Sequence, residues 1–240
     1  MTNRFFILLL LSSLFTVVVN GQNKKFEPEW NIGVGFGPTL SSVSFDPNRA
    51  LNYGGTISTK NLQQYAGGLA IRYITEKNLG LIAELNYSQQ GWEQYFEPSE
   101  TGVPSPYEHS HQLNYLELPI LTHIYFGNKV RVFFNLGPKL SFLLSDSEKM
   151  NQALSDALAG GDLGTSFMTY QYYRKAERKI DYALMAGMGL EFRSGIGHFA
   201  LEGRYTFGLG DIYKNSKSDF FNRSANRVIS VKLTYYVKLF

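Results

Sequence analysis

The sequence contains no cysteine. This excludes a disulfide framework, a thiol nucleophile, a cysteine-ligated metal and lipidation at cysteine. Long apolar runs are equally scarce. Beyond residue 19, no stretch approaches the ~18 consecutive apolar residues of a membrane-spanning helix. Charge of one sign is lacking too. The formal net charge is +3, too small to indicate a nucleic-acid or an acidic partner. Mean hydropathy is −0.18, which by itself reads as a soluble chain. Aromatics and glycine, in contrast, are plentiful, with 18 Phe, 16 Tyr and 23 Gly. That balance suits a transmembrane barrel with aromatic girdles and a glycine-relieved interior.

The N-terminus has the form of a secretory signal peptide. Arg4 supplies the basic region, Phe5 to Val19 the apolar region, and Val19-Asn20-Gly21 the cleavage site, with cutting expected before Gln22. The expected organisation is a signal peptide at 1–21, a periplasmic N-terminal segment at 22–28 and one barrel domain at 29–240.

Leu113 to Phe142 organises the remainder. Two alternating runs flank a tight Gly127-Asn128-Lys129 turn, a strong hairpin signal. Leu116, Leu118, Ile120, Thr122, Ile124 and Phe126 share one face of the first run, opposite Tyr115, Glu117, Pro119, Leu121, His123 and Tyr125. In the second, Val130, Val132, Phe134, Leu136, Pro138, Leu140 and Phe142 oppose Arg131, Phe133, Asn135, Gly137, Lys139 and Ser141. Each run is about a dozen residues, longer than the ~5–6 of a soluble strand and suited to a tilted strand crossing a bilayer.

Six further strands follow the same alternation, over about 29–41, 65–75, 79–88, 180–192, 199–209 and 229–239. The connections alternate long, short, long, short, long, short, long. This predicts an all-β fold, an eight-stranded antiparallel up-and-down transmembrane β-barrel with short periplasmic turns and long extracellular loops. Within the longest loop, Met150, Ala153, Leu154, Ala157 and Leu158 have helical spacing and end at Gly160-Gly161, predicting a short amphipathic helix. A lipocalin-like barrel has as many strands but keeps its apolar face inside.

The charges separate these two plans. Arg72, Glu84, Glu117, Arg131, Lys139, Asp181, Glu191, Glu202, Arg204, Lys232 and Lys238 lie on the polar parity. In a membrane barrel they must point inward, because Lys or Arg facing mid-bilayer lipid costs roughly 2–4 kcal/mol. Six bases and five acids can pair across a narrow interior, so the porin-like plan is expected to be plugged. Glu117 is the expected centre of this network, with Arg72, Arg131 and Arg204 as partners. Pro119, lacking an N–H, is expected to mark a bulge or bend. Aromatics at both ends of the outward faces, Trp30, Tyr73, Phe126, Phe192 and Phe199 at one and Tyr65, Tyr87, Phe142, Tyr182 and Phe207 at the other, mark the two interfaces.

No chemistry is legible beyond this. Gly33-Val34-Gly35-Phe36-Gly37 lies inside a strand with no following helix, so it reads as glycines making room for inward arginines and not as a phosphate loop. His109 and His111 would need a third ligand to hold a metal. His123 and His198 read as interior or rim residues. Asp211, His111 and Ser145 have no spacing that assembles a triad. No catalytic residue, cofactor or metal is therefore expected. Tyr170, Tyr172 and Tyr173 with Arg174, Lys175, Arg178 and Lys179 form an aromatic and basic loop suited to lipopolysaccharide phosphates or a protein partner.

Asn114 to Pro119 (NYLELP), Asn135 to Leu144 (NLGPKLSFLL) and Leu201 to Ile212 (LEGRYTFGLGDI), with a barrel-like final strand ending in Phe240, resemble the PorT-type outer-membrane β-barrel family of Gram-negative bacteria. The terminal Phe240 falls on the parity of Lys238 and not of Leu239. The resemblance implies an outer-membrane location in contact with lipid and lipopolysaccharide, and one member is linked to type IX secretion. Three roles are compatible: a non-enzymatic barrel with a structural or protein-interaction role, a component of a secretion or envelope-assembly complex, or a small lipid-active enzyme.

Overall fold

Period-two alternation with tight turns at every second connection leaves the backbone one way to pair its N–H and C=O groups, which is to close the sheet on itself. The computed structural model describes residues 26–48, 57–98, 102–161, 163, 169–214 and 219–239. The expected signal peptide, most of the segment at 22–28 and Phe240 lie outside these residues. The strands are β1 (Glu29–Pro47), β2 (Thr59–Lys60), β3 (Leu62–Glu76), β4 (Leu79–Gln94), β5 (His109–Gly127), β6 (Val130–Met150), β7 (Ile180–Ser194), β8 (Gly197–Gly208) and β9 (Phe221–Lys238). All pairs are antiparallel, β1 joins both β3 and β9, and the β4–β5 pairing completes an eight-membered ring. The two-residue β2 only extends the edge of β4.

The turns at one end are tight. Asn78 takes φ 73 and Gly127 φ 109, left-handed values that short hairpin turns demand. At the other end, α1 (Gln152–Gly160) sits between β6 and β7. Its N-cap is Asn151, whose side chain accepts from the Leu154 N–H, and it stops at Gly161 in the left-handed conformation. Leu154 and Ala157 turn inward, and Leu154 packs with Phe96 and Tyr172.

Burial settles the orientation of the sheet. Phe36, Leu69, Ile120 and Leu136 are each about 60% exposed, whereas Arg72, Glu84 and Glu191 are 0–4% exposed. Apolar side chains cover the outside and charges fill the inside, the reverse of a lipocalin. No soluble surface sustains so continuous an apolar belt. From Val130 to Phe142 the belt runs 13 residues along β6. At ~3.4 Å per residue and a tilt near 40°, this spans about 30 Å, a bilayer's hydrocarbon thickness. Aromatic pairs border it, Trp30 on Tyr73 at 4.4 Å and Phe199 on Tyr235 at 4.9 Å towards the tight turns, with Phe36 on Tyr65 at 5.6 Å towards the other end.

The strands outrun the sequence reading on the long-loop side. β6 continues from Phe142 to Met150, β5 begins at His109, β1 reaches Pro47 and β9 begins at Phe221. Past Leu144 the outer positions become Ser147 and Lys149, so the apolar alternation that reveals a strand is gone while backbone pairing continues in water. A polar collar therefore rises above the apolar belt. The expected bulge at Pro119 is not found. The register on both sides of Pro119 is unchanged, and the slip in the β5–β6 pairing lies between Asn114 and Tyr115. Proline's missing N–H merely leaves a gap in the β4–β5 ladder beside Glu84 and Leu85.

Candidate functional site

The interior is layered. Nearest the tight turns, Glu191 of β7 accepts from Arg72 of β3 and, at 3.4 Å, from Arg131 of β6. Each guanidinium lies 4.1 Å from a ring centroid, Arg72 over Tyr236 and Arg131 over Tyr125, which disperses positive charge on buried side chains. His198 Nδ1 stands 3.1 Å from Arg72 Nη2, and His123 Nδ1 2.7 Å from Asn135 Oδ1. Ile82, Leu121 and Met185 pack together as a small apolar cluster in the interior. The second charged layer centres on Glu84, which accepts from Arg204 at 2.7 and 2.8 Å and from Lys232 at 2.8 Å. Arg204 also donates to Glu202 at 2.7 Å. Further along, Lys139 and Gln90 both donate to Glu117, and Asp181 accepts from Asn226 at 2.9 Å.

The partner assignments differ from the sequence reading. Glu117 is not the hub and meets none of the three arginines. Glu84 and Glu191 each accept hydrogen bonds from two bases instead, because strand tilt and stagger set which residues face one another across the lumen. Lys238 leaves the interior altogether. Its side chain is 53% exposed at the barrel mouth, 3.8 Å from Glu29, leaving five bases and five acids of the expected set inside. The glycines of β1 make room, but not for arginine. A Cβ on Gly35 would strike Lys232 and Thr234.

A cavity of about 30 Å³ touches Gln90, Glu117, Lys139, Arg204 and Lys232, room for roughly one water. Above the charges sits an aromatic stopper. Trp92, Leu113, Tyr115, Tyr213 and Phe221 are at most 1% exposed and share one cluster with Val43 and Leu143. Tyr213 enters from the β8–β9 connection and Phe221 from the first position of β9, both within a stretch the alternation leaves as a long loop. Ile212 N–H donates to Ser224 O, and Tyr213 N–H to Ser224 Oγ. The aromatic spacing there has no period, so no pattern in the sequence reveals the stopper.

The rim is tied down from outside. Arg174 donates to both oxygens of Asp219, at 2.9 and 2.7 Å, and lies 4.1 Å over the Tyr213 ring. The Arg174 hydrogen bond holds the Asp219 carboxyl below its usual range, and burial raises the Tyr172 hydroxyl to about 12. The basic loop is thus partly consumed by internal contacts. Asp211, His111 and Ser145 stay apart, each with a partner of its own: the Ser224 N–H, Asp146 and the Asn114 side chain. A cavity of about 710 Å³ opens beside β4 and β5, lined by Lys60, Tyr95, Tyr107 and His109 among others.

Among solved structures, the chain is similar to Ail of Yersinia pestis, at 13% identity and TM-score 0.40 over 87% of this chain and 99% of that one. It is also similar to Neisserial surface protein A, at 10% identity and TM-score 0.43 over 89% and 100%, and to Escherichia coli outer membrane protein W, at 14% and 0.32 over 84% and 97%. No curated protein matches its sequence. The family described as "Outer membrane protein beta-barrel domain" matches residues 20–214, most of the chain and most of the strands described above. The chain belongs to the outer membrane protein β-barrel domain family.

Proposed function

We propose that this outer-membrane barrel is a sealed, non-enzymatic protein that works through its extracellular collar in a structural or protein-interaction role. One observation carries the reading: the lumen is blocked in series, by cross-paired charges and then by the Trp92, Tyr115, Tyr213 and Phe221 stopper. A transport path would have to break both. The ten interior charges, Arg72, Glu84, Glu117, Arg131, Lys139, Asp181, Glu191, Glu202, Arg204 and Lys232, are in this view a scaffold. The reading includes removal of residues 1–21 on export.

Outer-leaflet lipopolysaccharide is the lipid partner. Arg223 and Arg227 lie over Phe207 at 5.6 and 3.9 Å, just past the apolar belt of β8 and β9. Both donate to the Gly208 carbonyl and not to a carboxylate, which leaves their charge for phosphate. The NYLELP and NLGPKLSFLL segments support placement in the PorT-type subset, and with it the alternative of a subunit in a secretion or envelope-assembly complex.

The test is reconstitution of the folded chain in planar bilayers. A sealed barrel gives no steady conductance, and a reproducible single-channel current would overturn the reading. Gentle detergent extraction from native membranes separates the alternatives, since a machine component travels in a large complex.

A further inference from the structure

A sealed scaffold has no use for the two histidines of the collar. His109 and His111 stand two residues apart on β5, so the pleat turns both to the inner face, where they are 4% and 1% exposed. The β5–β6 register sets Glu148 opposite His111. One ring nitrogen of each histidine and one carboxylate oxygen of Glu148 all lie within 4.8 Å of one another. His109 Nε2 is 2.8 Å from Glu148 Oε1, and His111 Nε2 meets Asp146 Oδ1. The rings are fixed in place. Trp92 stacks on His111 at 4.4 Å and 11°, and Tyr172 meets His109 edge-on at 4.9 Å.

What this packing does not supply is a partner for the second nitrogen of either ring. Nδ1 of His109 and of His111 is buried without a hydrogen bond among the described residues. Such groups are costly to bury unsatisfied, and natural structures contain few of them. Two on neighbouring imidazoles, beside a carboxylate, indicate that something else completes the cluster.

We propose that His109, His111 and Glu148 bind a divalent transition metal of the zinc class, with Asp146 orienting His111. Two imidazoles and one carboxylate match the donor preference of zinc, cobalt or nickel, whereas calcium and magnesium ask for oxygen ligands throughout. A tetrahedral ion with bonds of ~2.0–2.1 Å draws its ligand atoms to about 3.4 Å apart. Glu148, the least buried of the three, closes that distance by changing rotamer. The ion enters from the medium, because His109 also lines the 710 Å³ cavity at the rim. A carboxylate held behind a ligand histidine fixes the ring's tautomer and raises its basicity. The third ligand was illegible in the sequence because Glu148 follows His109 by 39 residues, and only the hairpin register brings it back.

The experiment uses the mature chain folded in detergent, without a histidine tag. Trp30→Phe leaves Trp92 as the only tryptophan of the two, stacked on a proposed ligand. Titration with Co²⁺ should quench Trp92 saturably, with one ion per chain, and Zn²⁺ should displace the Co²⁺. His109→Gln, His111→Gln and Glu148→Gln should each weaken binding by about tenfold or more, while His123→Gln, deep in the lumen, should not. Each variant must first give the compact unboiled gel band of a folded barrel. If His111→Gln fails to fold, the near-isosteric Glu148→Gln decides. Absence of saturable quenching, or binding indifferent to Glu148→Gln and His109→Gln, overturns the proposal.

Discussion

Glu84 and Arg204 face each other across the full width of the lumen. They sit on β4 and β8, four strands apart in a ring of eight, and join at 2.7 and 2.8 Å. Arg72 of β3 and Glu191 of β7 repeat the relationship one strand round. Each wall is therefore fastened to its opposite as well as to its neighbours. Glu84 also neutralises Lys232, so its removal strands one buried ammonium and half-empties the Arg204 fork. Breaking a buried pair by deleting one partner typically costs about 3–5 kcal/mol. Glu84→Gln should lower the unfolding midpoint in urea by a cost of that size, read from the fraction of compact unboiled band. A cost below about 1 kcal/mol would mean that the cross-lumen pair contributes little.

The lipid face makes a depth-dependent prediction. Leu136 is 60% exposed in the middle of the belt and Leu144 is 56% exposed at its upper edge. Leu136→Arg should destabilise by about 2–4 kcal/mol and Leu144→Arg by about 0–1 kcal/mol, as the guanidinium reaches water only from the edge. Equal effects would put Leu136 outside the hydrocarbon.

The contrast between these two predictions shows which parts of the fold could be read from the sequence. Which side of each strand faces lipid is a period-two property, printed in residues such as Leu118, Ile120 and Leu136, and the structure exposes them all. Which inner residue meets which is a property of strand stagger, and no local pattern encodes it. Glu84 therefore replaced Glu117 as the hub. The collar was missed for a related reason. Above Leu144 both faces of the sheet are wetted or loop-covered, and residues such as Ser145 and Glu148 carry no alternation to detect. The helix was legible because Leu154 and Ala157 keep a period of their own.

On the proposed reading, in which Arg223 and Arg227 meet lipopolysaccharide phosphate, lipopolysaccharide is a stabilising ligand. Anything bound to the folded form alone raises its melting temperature. Added lipopolysaccharide should raise the temperature at which the compact band disappears, and Arg223→Ala with Arg227→Ala should remove most of that gain. The same double variant should melt close to normally in detergent alone, since these side chains cover Phe207 and donate to the backbone carbonyls of Gly208 and Asn226, not to a buried charge. A full gain in the double variant would locate the lipid contact elsewhere.

Arg174 and Asp219 form the latch that holds the β6–β7 connection over the stopper, and the sign of its pH dependence follows from the Asp219 carboxyl. Its hydrogen bond from Arg174 places its titration below the aspartate range. A depressed carboxylate contributes stability above its unfolded value of 3.8, and loses it as pH falls through the lower folded value. Both groups are partly solvated, so the contribution is about 1 kcal/mol and not the full value of a buried pair. Hydrogen exchange at the Ala176, Glu177 and Arg178 amides should be slow at neutral pH. Asp219→Asn should speed it several-fold there, because the lost ion pair frees Arg174 from its position over Tyr213. In the native chain the same loosening should appear only in acid, below pH 4. The Ala176 N–H also donates to Asp146, whose carboxyl burial raises but which the His111 and Ala176 hydrogen bonds bring below its usual range. Acid loosening that survives Asp219→Asn unchanged would therefore assign the latch to Asp146, and the Arg174 pair would be ornamental to the closure.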